Sequence, residues 1–119
     1  MSNEKEQWRR ELERINNTYQ VDKIVHLNVG GTHNLSTSLQ VLKSVQNSGL
    51  SAMFSGRHKL PTLESDESRV FIDRDGETFS DVINYLRNSK REMPFFESEN
   101  KAKIFSQELD FWGIETFEE

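Results

Sequence analysis

The sequence predicts an α+β fold that is mostly helical and contains a small sheet. Three observations support this class: apolar and polar residues alternate over residues 23–29, two glycines separate that run from a second β-like run, and two later segments carry apolar residues at helical spacing. The predicted order is a β-hairpin, two short helices, a strand and two longer helices. A chain of 119 residues is expected to form one domain.

The hairpin is predicted from residues 23–29, in which every second residue is apolar, and from the short β-like run at 34–38. Gly30 and Gly31 lie between the two runs, and glycine adopts positive φ without steric cost. A phosphate-binding loop is excluded, because neither G-x-x-x-x-G-K-[ST] nor G-x-G-x-x-G spacing is present. The glycines are therefore predicted to turn the chain.

Two short helices are predicted at residues 39–45 and 50–56, since apolar residues form one edge of each segment. Ser38 and Ser48 stand where a serine side chain accepts a hydrogen bond from the first helical turn. Residues 57–68 are polar and contain a proline, so they are predicted to form a loop.

A third strand is predicted at residues 69–75, and two amphipathic helices follow it. The first helix, residues 76–88, has apolar residues at i, i+3, i+4 and i+7, and Asp75 is placed to cap it. The second begins after Ser98 and ends at Gly113, a residue type that favours the left-handed conformation at a helix C-terminus.

The N-terminal segment, residues 1–22, predicts a charged amphipathic helix over residues 3–20. Its apolar stripe recurs at helical spacing and consists of Trp8, Leu12, Ile15 and Tyr19. Two heptads are too short for an independent coiled coil. The stripe is predicted either to pack on the rest of the domain or to form a short bundle with copies of itself. As a further hypothesis, it is a candidate docking surface for a partner protein.

Composition excludes several classes of function. The formal net charge of −5 argues against nucleic-acid binding, which depends on clustered lysine and arginine. The chain has no cysteine, which excludes disulfides, thiolate metal sites and cysteine nucleophiles. It also has no secretory signal and no apolar run of the ~20 residues that span a bilayer, so we expect a cytoplasmic protein without direct membrane insertion.

Catalytic and metal-binding patterns are also missing. Residues 73–79, DRDGETF, resemble the start of a calcium loop, but the glycine and the final acidic ligand fall at the wrong positions. His26, His33 and His58 lack the spacing of a zinc protease, and no G-x-S-x-G elbow occurs. We therefore expect no enzyme activity, no metal and no cofactor.

Several stretches together resemble one family. They occur in its order and at about its spacing: LNVGG (27–31), STS before LQVL, LSAMFSGR (50–57), VFIDRDGETFSDVINYLRN (70–88) and ELDFWGI (108–114). These stretches resemble the potassium-channel-tetramerisation type of BTB/POZ domain, and FIDRDG makes the chain more similar to the KCTD proteins than to voltage-gated channels. The resemblance implies a BTB/POZ fold over residues 23–114, with a small, mostly antiparallel sheet edged by helices, and an acidic tail at 115–119.

The resemblance also implies a biological role. Family members assemble side by side into rings, commonly tetramers or pentamers, and several connect a cullin-RING ubiquitin ligase to its substrates. The chain departs from the family pattern at Leu35, where an aromatic residue is usual, and at Gln46, where proline is usual. Because the sequence ends at Glu119, we expect an adaptor of this kind to recruit its substrate through the N-terminal helix or the acidic tail. Any ring is expected to be metal-free, since the interface zinc of some channel relatives needs cysteines.

Charged and amide side chains without catalytic neighbours are candidates for contacts between subunits, because electrostatic complementarity fixes geometry more than affinity. The residues predicted to lie at or near such a seam are Asn28, Arg57, Asp73, Arg74 and Asp75. The alternative is that these side chains only cap and solvate their own elements.

The leading functional hypothesis is a homo-oligomerising interaction module. A second is a ligase adaptor that binds a cullin through residues 45–60 and the last helix. A third is a structural subunit of a larger cytoskeletal or membrane-associated assembly, with the Trp8/Leu12/Ile15 stripe docked on another protein. A role beside a channel is a weaker fourth.

Overall fold

The strands and helices follow one another in the predicted order, with one additional short strand before the predicted third strand. In a computed structural model, the residues described are 23–90 and 93–116, and the predicted helix with Trp8, Leu12, Ile15 and Tyr19 lies outside them. Within these ranges the elements are β1 (Ile24–Val29), β2 (His33–Ser38), α1 (Leu39–Leu42), α2 (Gly49–Met53), β3 (Thr62–Leu63), β4 (Asp66–Ile72), α3 (Gly76–Arg87) and α4 (Glu99–Trp112).

The sheet formed by the described residues has four strands in the order β2-β1-β4-β3. β1 pairs antiparallel with β2 and parallel with β4, and β3 pairs antiparallel with β4. The predicted α+β fold with a small, mostly antiparallel sheet edged by helices is therefore confirmed.

The prediction of a loop over residues 57–68 was wrong in its second half, which contains β3 and the start of β4. β3 has only two residues, too few to show an alternating pattern. Its antiparallel pairing with β4 defines it, and the N–H of Phe71 also donates to the carbonyl oxygen of Pro61, the residue before β3, at 2.9 Å.

The core lies between one face of the sheet and the two long helices. Alternation along β1 buries Val25, Leu27 and Val29, whereas the intervening residues face outward. The predicted apolar face of α3 is buried against them and consists of Phe79, Val82, Ile83 and Leu86. No helix among residues 23–90 and 93–116 has both the length and the apolar composition needed to cross a bilayer.

The predicted helix N-caps are confirmed. In each of the four helices of the described residues, the side chain of the residue before the helix accepts a hydrogen bond from the backbone N–H three residues later. These capping residues are Ser38, Ser48, Asp75 and Ser98. α1 and α2 end three residues earlier than predicted, at Leu42 and Met53.

The C-terminus of α4 is a Schellman motif, as the position of Gly113 predicted. Gly113 has φ +71°, and the N–H of Ile114 donates to the carbonyl oxygen of Leu109 at 2.9 Å. Ile114 is buried, so its side chain holds the end of α4 against the core.

Candidate functional site

The hairpin turn and the loop before α3 form one unit at the C-terminal end of β1. Parallel pairing places Val29 beside Ile72, and the N–H of Gly30 donates to the carbonyl oxygen of Ile72 at 2.7 Å. Gly30 has φ +67°, and a Cβ at this position would lie 2.5 Å from the carbonyl oxygen of Arg74. Glycine is required for this contact, which brings LNVGG against residues 73–75, here called the 73–75 loop.

Arg74 extends from the 73–75 loop to α4, where it forms an ion pair with Glu108. Its Nε lies 3.2 Å from both carboxylate oxygens of Glu108, and its Nη2 lies 2.7 Å from Oε1. The Glu108 side chain is only 5% exposed and that of Arg74 is 33% exposed. The hydrogen bonds to Glu108 raise the pKa of Arg74 against the opposing effect of its own burial.

Two aromatic residues of α4 complete the surroundings of this ion pair. The indole Nε1–H of Trp112 donates to Glu108 Oε2 at 2.9 Å, so both carboxylate oxygens have donors. The guanidinium carbon of Arg74 lies 3.7 Å from the ring centroid of Phe111, a cation–π geometry. A buried carboxylate with this many partners fixes the 73–75 loop relative to α4.

The two aspartates beside Arg74 have different surroundings. Asp75 accepts hydrogen bonds from the hydroxyl of Thr78 at 2.7 Å and from its backbone N–H at 3.1 Å. Those two bonds, the hydroxyl one foremost, lower the pKa of Asp75 below the usual range of a carboxyl. Asp73 is exposed, and within the described part of the chain no group hydrogen-bonds to its carboxylate.

Asn28 holds the hairpin turn together. Its side-chain oxygen accepts from the N–H of Gly31 at 3.0 Å, and its amide nitrogen donates to Asn34 on the paired strand at 2.9 Å. Asn28 lies on the sheet face opposite the core, and it pairs with Phe71, two residues before the 73–75 loop.

Arg57 does not join this group. It follows α2, and its Nε donates to the Ser55 hydroxyl at 3.3 Å. Its neighbours Gly56 and His58 line a cleft together with the first residues of β1, and thus lie at the opposite end of that strand from Asn28. The structure therefore brings four of the five predicted seam residues together, and their role between subunits stays a prediction.

Exposed apolar side chains on α4 lie next to the 73–75 loop. Phe111 is 57% exposed and Ile104 is 41% exposed, and their i, i+7 spacing puts them on one helical face. A groove of about 360 Å³ runs between α3 and α4 and is lined by Asp75 and Ile104, among others. We call the 73–75 loop, Ile104, Phe111 and this groove the candidate surface.

The groove also contains the carboxylate of Asp81, to which no cation of the described residues donates a hydrogen bond. Burial, and then the charge of Glu77, raise the pKa of Asp81, while Lys101 opposes them. The Nζ of Lys101 lies 3.8 Å from Oε1 of Glu77, and both side chains are mostly exposed. This ion pair therefore contributes little to stability. The groove is therefore acidic as well as partly apolar.

Two hydroxyl–imidazole pairs were not anticipated from the sequence. Ser36 Oγ lies 2.6 Å from His26 Nδ1, and Thr32 Oγ1 lies 2.8 Å from His33 Nδ1. Nucleophilic catalysis also needs a third group that orients the base. Among residues 23–90 and 93–116 no carboxylate hydrogen-bonds to either imidazole, and no group of three His, Cys, Asp or Glu residues could hold a metal.

Sequence reasoning missed the α4 half of the candidate surface. Glu108 and Trp112 are spaced i, i+4 and Ile104 and Phe111 are spaced i, i+7, but charged and aromatic residues at such spacings are common in solvated helices. Within the described part of the chain, the cation that pairs with Glu108 is Arg74, which is distant in sequence.

Comparison with known proteins identifies relatives over most of the chain. The sequence profile described as the BTB/POZ domain matches residues 25–118. The BTB/POZ domain-containing protein KCTD21 of Mus musculus and that of Homo sapiens are each 40% identical over 91 residues, which cover 76% of this chain and 33% of theirs. The BTB/POZ domain-containing protein KCTD3 of Homo sapiens is 36% identical over 92 residues, 77% of this chain and 10% of its own. The chain thus spans a third or less of the length of these relatives.

Proposed function

Because the chain belongs to the BTB/POZ domain family, whose members are protein-interaction domains, we propose that it is a non-enzymatic module that binds further copies of itself. The family assignment supports protein interaction in general. Self-association through the candidate surface is the specific step that we propose.

The observation that carries the proposal is the combination of charge and exposed apolar area at the candidate surface. Phe111 and Ile104 expose about half of their side chains, and Phe111 is stacked under the partly exposed guanidinium of Arg74. Aromatic residues and arginine are enriched at protein interfaces. The exposed carboxylate of Asp73 beside them offers a charge for a cation of a neighbouring subunit.

Head-to-tail contacts that close on themselves produce a ring. We propose such a ring, with four or five subunits, because the 73–75 loop meets α4 at one end of the molecule and a neighbour would contact it with a different patch. Arg57, at the other end of β1 and exposed, is the described seam candidate that could belong to that second patch. We further propose a cytoplasmic location, on the composition of the chain.

The test is the mass of the purified full chain by native mass spectrometry, supported by size-exclusion chromatography with light scattering. We expect a discrete tetramer or pentamer for the natural sequence. Asp73→Lys reverses an exposed charge on the candidate surface, and we expect it to shift the population towards monomer. Glu64→Lys makes the same charge change at an exposed position in the turn between β3 and β4, and it serves as the matched control.

A monomer at all micromolar concentrations would refute self-association. An oligomer that Asp73→Lys and Glu64→Lys affect equally would show that the subunits meet elsewhere. Circular dichroism of each variant separates loss of association from loss of fold.

The cullin-adaptor alternative shares part of this surface, because it was predicted to use residues 45–60 and the last helix. Ile104 and Phe111 are exposed apolar residues of that helix, which favours some protein partner for α4. A pull-down with a cullin N-terminal domain, using Ile104→Asp as the variant, distinguishes the two: loss of cullin binding with an unchanged native mass supports the adaptor role. A subunit of a larger assembly remains the third proposal.

A further inference from the structure

A second cavity lies at the opposite end of β1 from the candidate surface. It has a volume of about 340 Å³ and opens where β1, α1 and the segment after α2 meet. Its floor is formed by buried apolar residues, Val25, Phe54 and Val70, and its rim by the half-buried Leu39 and Leu60. We call this cavity the basic cleft.

Lys23 and Lys43 are the charged residues that line the basic cleft within the described part of the chain, and His26 and His58 lie beside them. Among residues 23–90 and 93–116 no aspartate or glutamate lines it, although acidic residues outnumber lysine and arginine by 20 to 15 in the chain. An apolar floor with a positive rim suits an apolar side chain that is flanked by carboxylates.

The first described residue, Lys23, lies at the basic cleft. Lys23 lines the basic cleft, and its carbonyl oxygen accepts a hydrogen bond from the N–H of Leu39 at 2.9 Å. Ile24, the next residue, also lines the cleft and is 51% exposed, which leaves an uncovered apolar side chain at its mouth. The segment that precedes Lys23 therefore starts from the rim of the basic cleft.

We propose that residues 15–21 of the same chain dock in the basic cleft, with Tyr19 and Ile15 inserted. Tyr19 is four residues before Lys23. Four residues of extended chain span about 13 Å, which is enough for Tyr19 to reach the cleft. Ile15 is one helical turn earlier and shares its face if the predicted helix extends to residue 20.

Size and charge both favour this occupant. The cleft lies at the small end of the range for binding pockets, about 300–1,000 Å³, so it accommodates one or two side chains and not a whole helix. Over residues 11–22 three carboxylates, those of Glu11, Glu13 and Asp22, outnumber the single cation, Arg14, and can approach the lysines of the rim. The inference goes beyond the proposed self-association and holds whether or not subunits form a ring.

The first test is hydrogen–deuterium exchange of the full chain, read at peptides that cover residues 12–21. We expect slow exchange in the natural sequence and at least tenfold faster exchange in Ile24→Asp, which places a charge at the cleft mouth. Met93→Asp is the control, because it places the same charge at an apolar residue of similar exposure, 54%, that lines neither the basic cleft nor the groove of the candidate surface. Lys43→Glu, on the exposed rim, is expected to act in the same direction as Ile24→Asp without altering a strand.

The second test uses the absence of natural cysteine. Tyr19→Cys and Leu60→Cys are combined in one chain and treated with a short bismaleimide, and the products are separated on a denaturing gel. An internally cross-linked single chain is the expected product. A cross-linked pair of chains would mean that the segment of another copy fills the cleft, and it would overturn the proposal.

Two further outcomes also overturn it: fast exchange over residues 12–21 in the natural sequence, or slow exchange that Ile24→Asp and Lys43→Glu leave unchanged. The native mass is recorded on the same samples. A monomer with a protected segment would refute the ring and leave this inference intact, and an oligomer with an unprotected segment would do the reverse.

Discussion

At the scale of single residues, the most consequential side chain is Glu108. It is a carboxylate almost wholly removed from water, and it is stable there because Arg74 and Trp112 donate to both of its oxygens. Burying a charge is unfavourable unless it is paired and hydrogen-bonded, so the three residues depend on one another. Arg74, which the sequence suggested for contacts between subunits, is thus also committed to its own subunit.

Glu108→Gln tests this dependence. The amide keeps the shape of the side chain but removes the charge that neutralises Arg74, and we expect a loss of about 2 kcal/mol in the free energy of unfolding, since removing one partner of a buried ion pair costs about 3–5 kcal/mol and Arg74 is partly solvated. Urea denaturation measures it. Asp110→Asn, on an exposed position of the same helix, should change stability by less than about 0.5 kcal/mol. Equal effects of the two variants would contradict the assigned role of Glu108.

At the scale of secondary-structure elements, local features could be predicted from the sequence and distant ones could not. The N-caps at Ser38, Ser48, Asp75 and Ser98 were correct, because a cap bonds to a backbone group three residues away. The pairing of Arg74 with Glu108 joins groups 34 residues apart, and nothing in the spacing of either residue reveals the other. β3 was missed for a related reason. It has two residues, and it is a strand because its backbone pairs with β4.

The hairpin turn provides a prediction about an element. Gly30 and Gly31 both have positive φ, but only a Cβ at Gly30 would collide with the backbone of Arg74, whereas nothing lies within 4 Å at Gly31. Gly31→Ala should therefore cost about 1 kcal/mol, the strain of a left-handed alanine, and Gly30→Ala should cost at least about 1 kcal/mol more.

Thermal and urea unfolding of the two alanine variants compare these losses directly. The difference between them isolates the contact with the 73–75 loop, because the backbone strain is common to both. If Gly31→Ala proved the more damaging variant, the close approach of the hairpin turn to Arg74 would not exist in solution.

At the scale of the whole molecule, folding and association are expected to be linked. Composition is polar, with 34% hydrophobic residues, and a small domain buries a limited share of its surface. If a ring covers Ile104 and Phe111, the melting temperature of the natural chain should rise by several degrees between low and high micromolar concentration, because binding to other copies stabilises the native state. The melting temperature of Asp73→Lys should not depend on concentration. At high concentration it should be lower than that of the natural chain.

Differential scanning fluorimetry over a hundredfold range of concentration measures this dependence, with Glu64→Lys as the control that should behave like the natural chain. If the melting temperature of the natural sequence did not change with concentration, folding and association would not be linked. Any ring would then be formed by subunits that are already stable.

The parallel pairing of β1 with β4 also affects the order in which the molecule is built during synthesis. β1 can form its hairpin with β2 as soon as the adjoining residues have left the ribosome, since their partners are neighbours in the chain. The other edge of β1 stays unsatisfied until Val70 and Ile72 emerge, about forty residues later. For that interval the nascent chain displays an open strand edge, the form most prone to pairing with the wrong polypeptide.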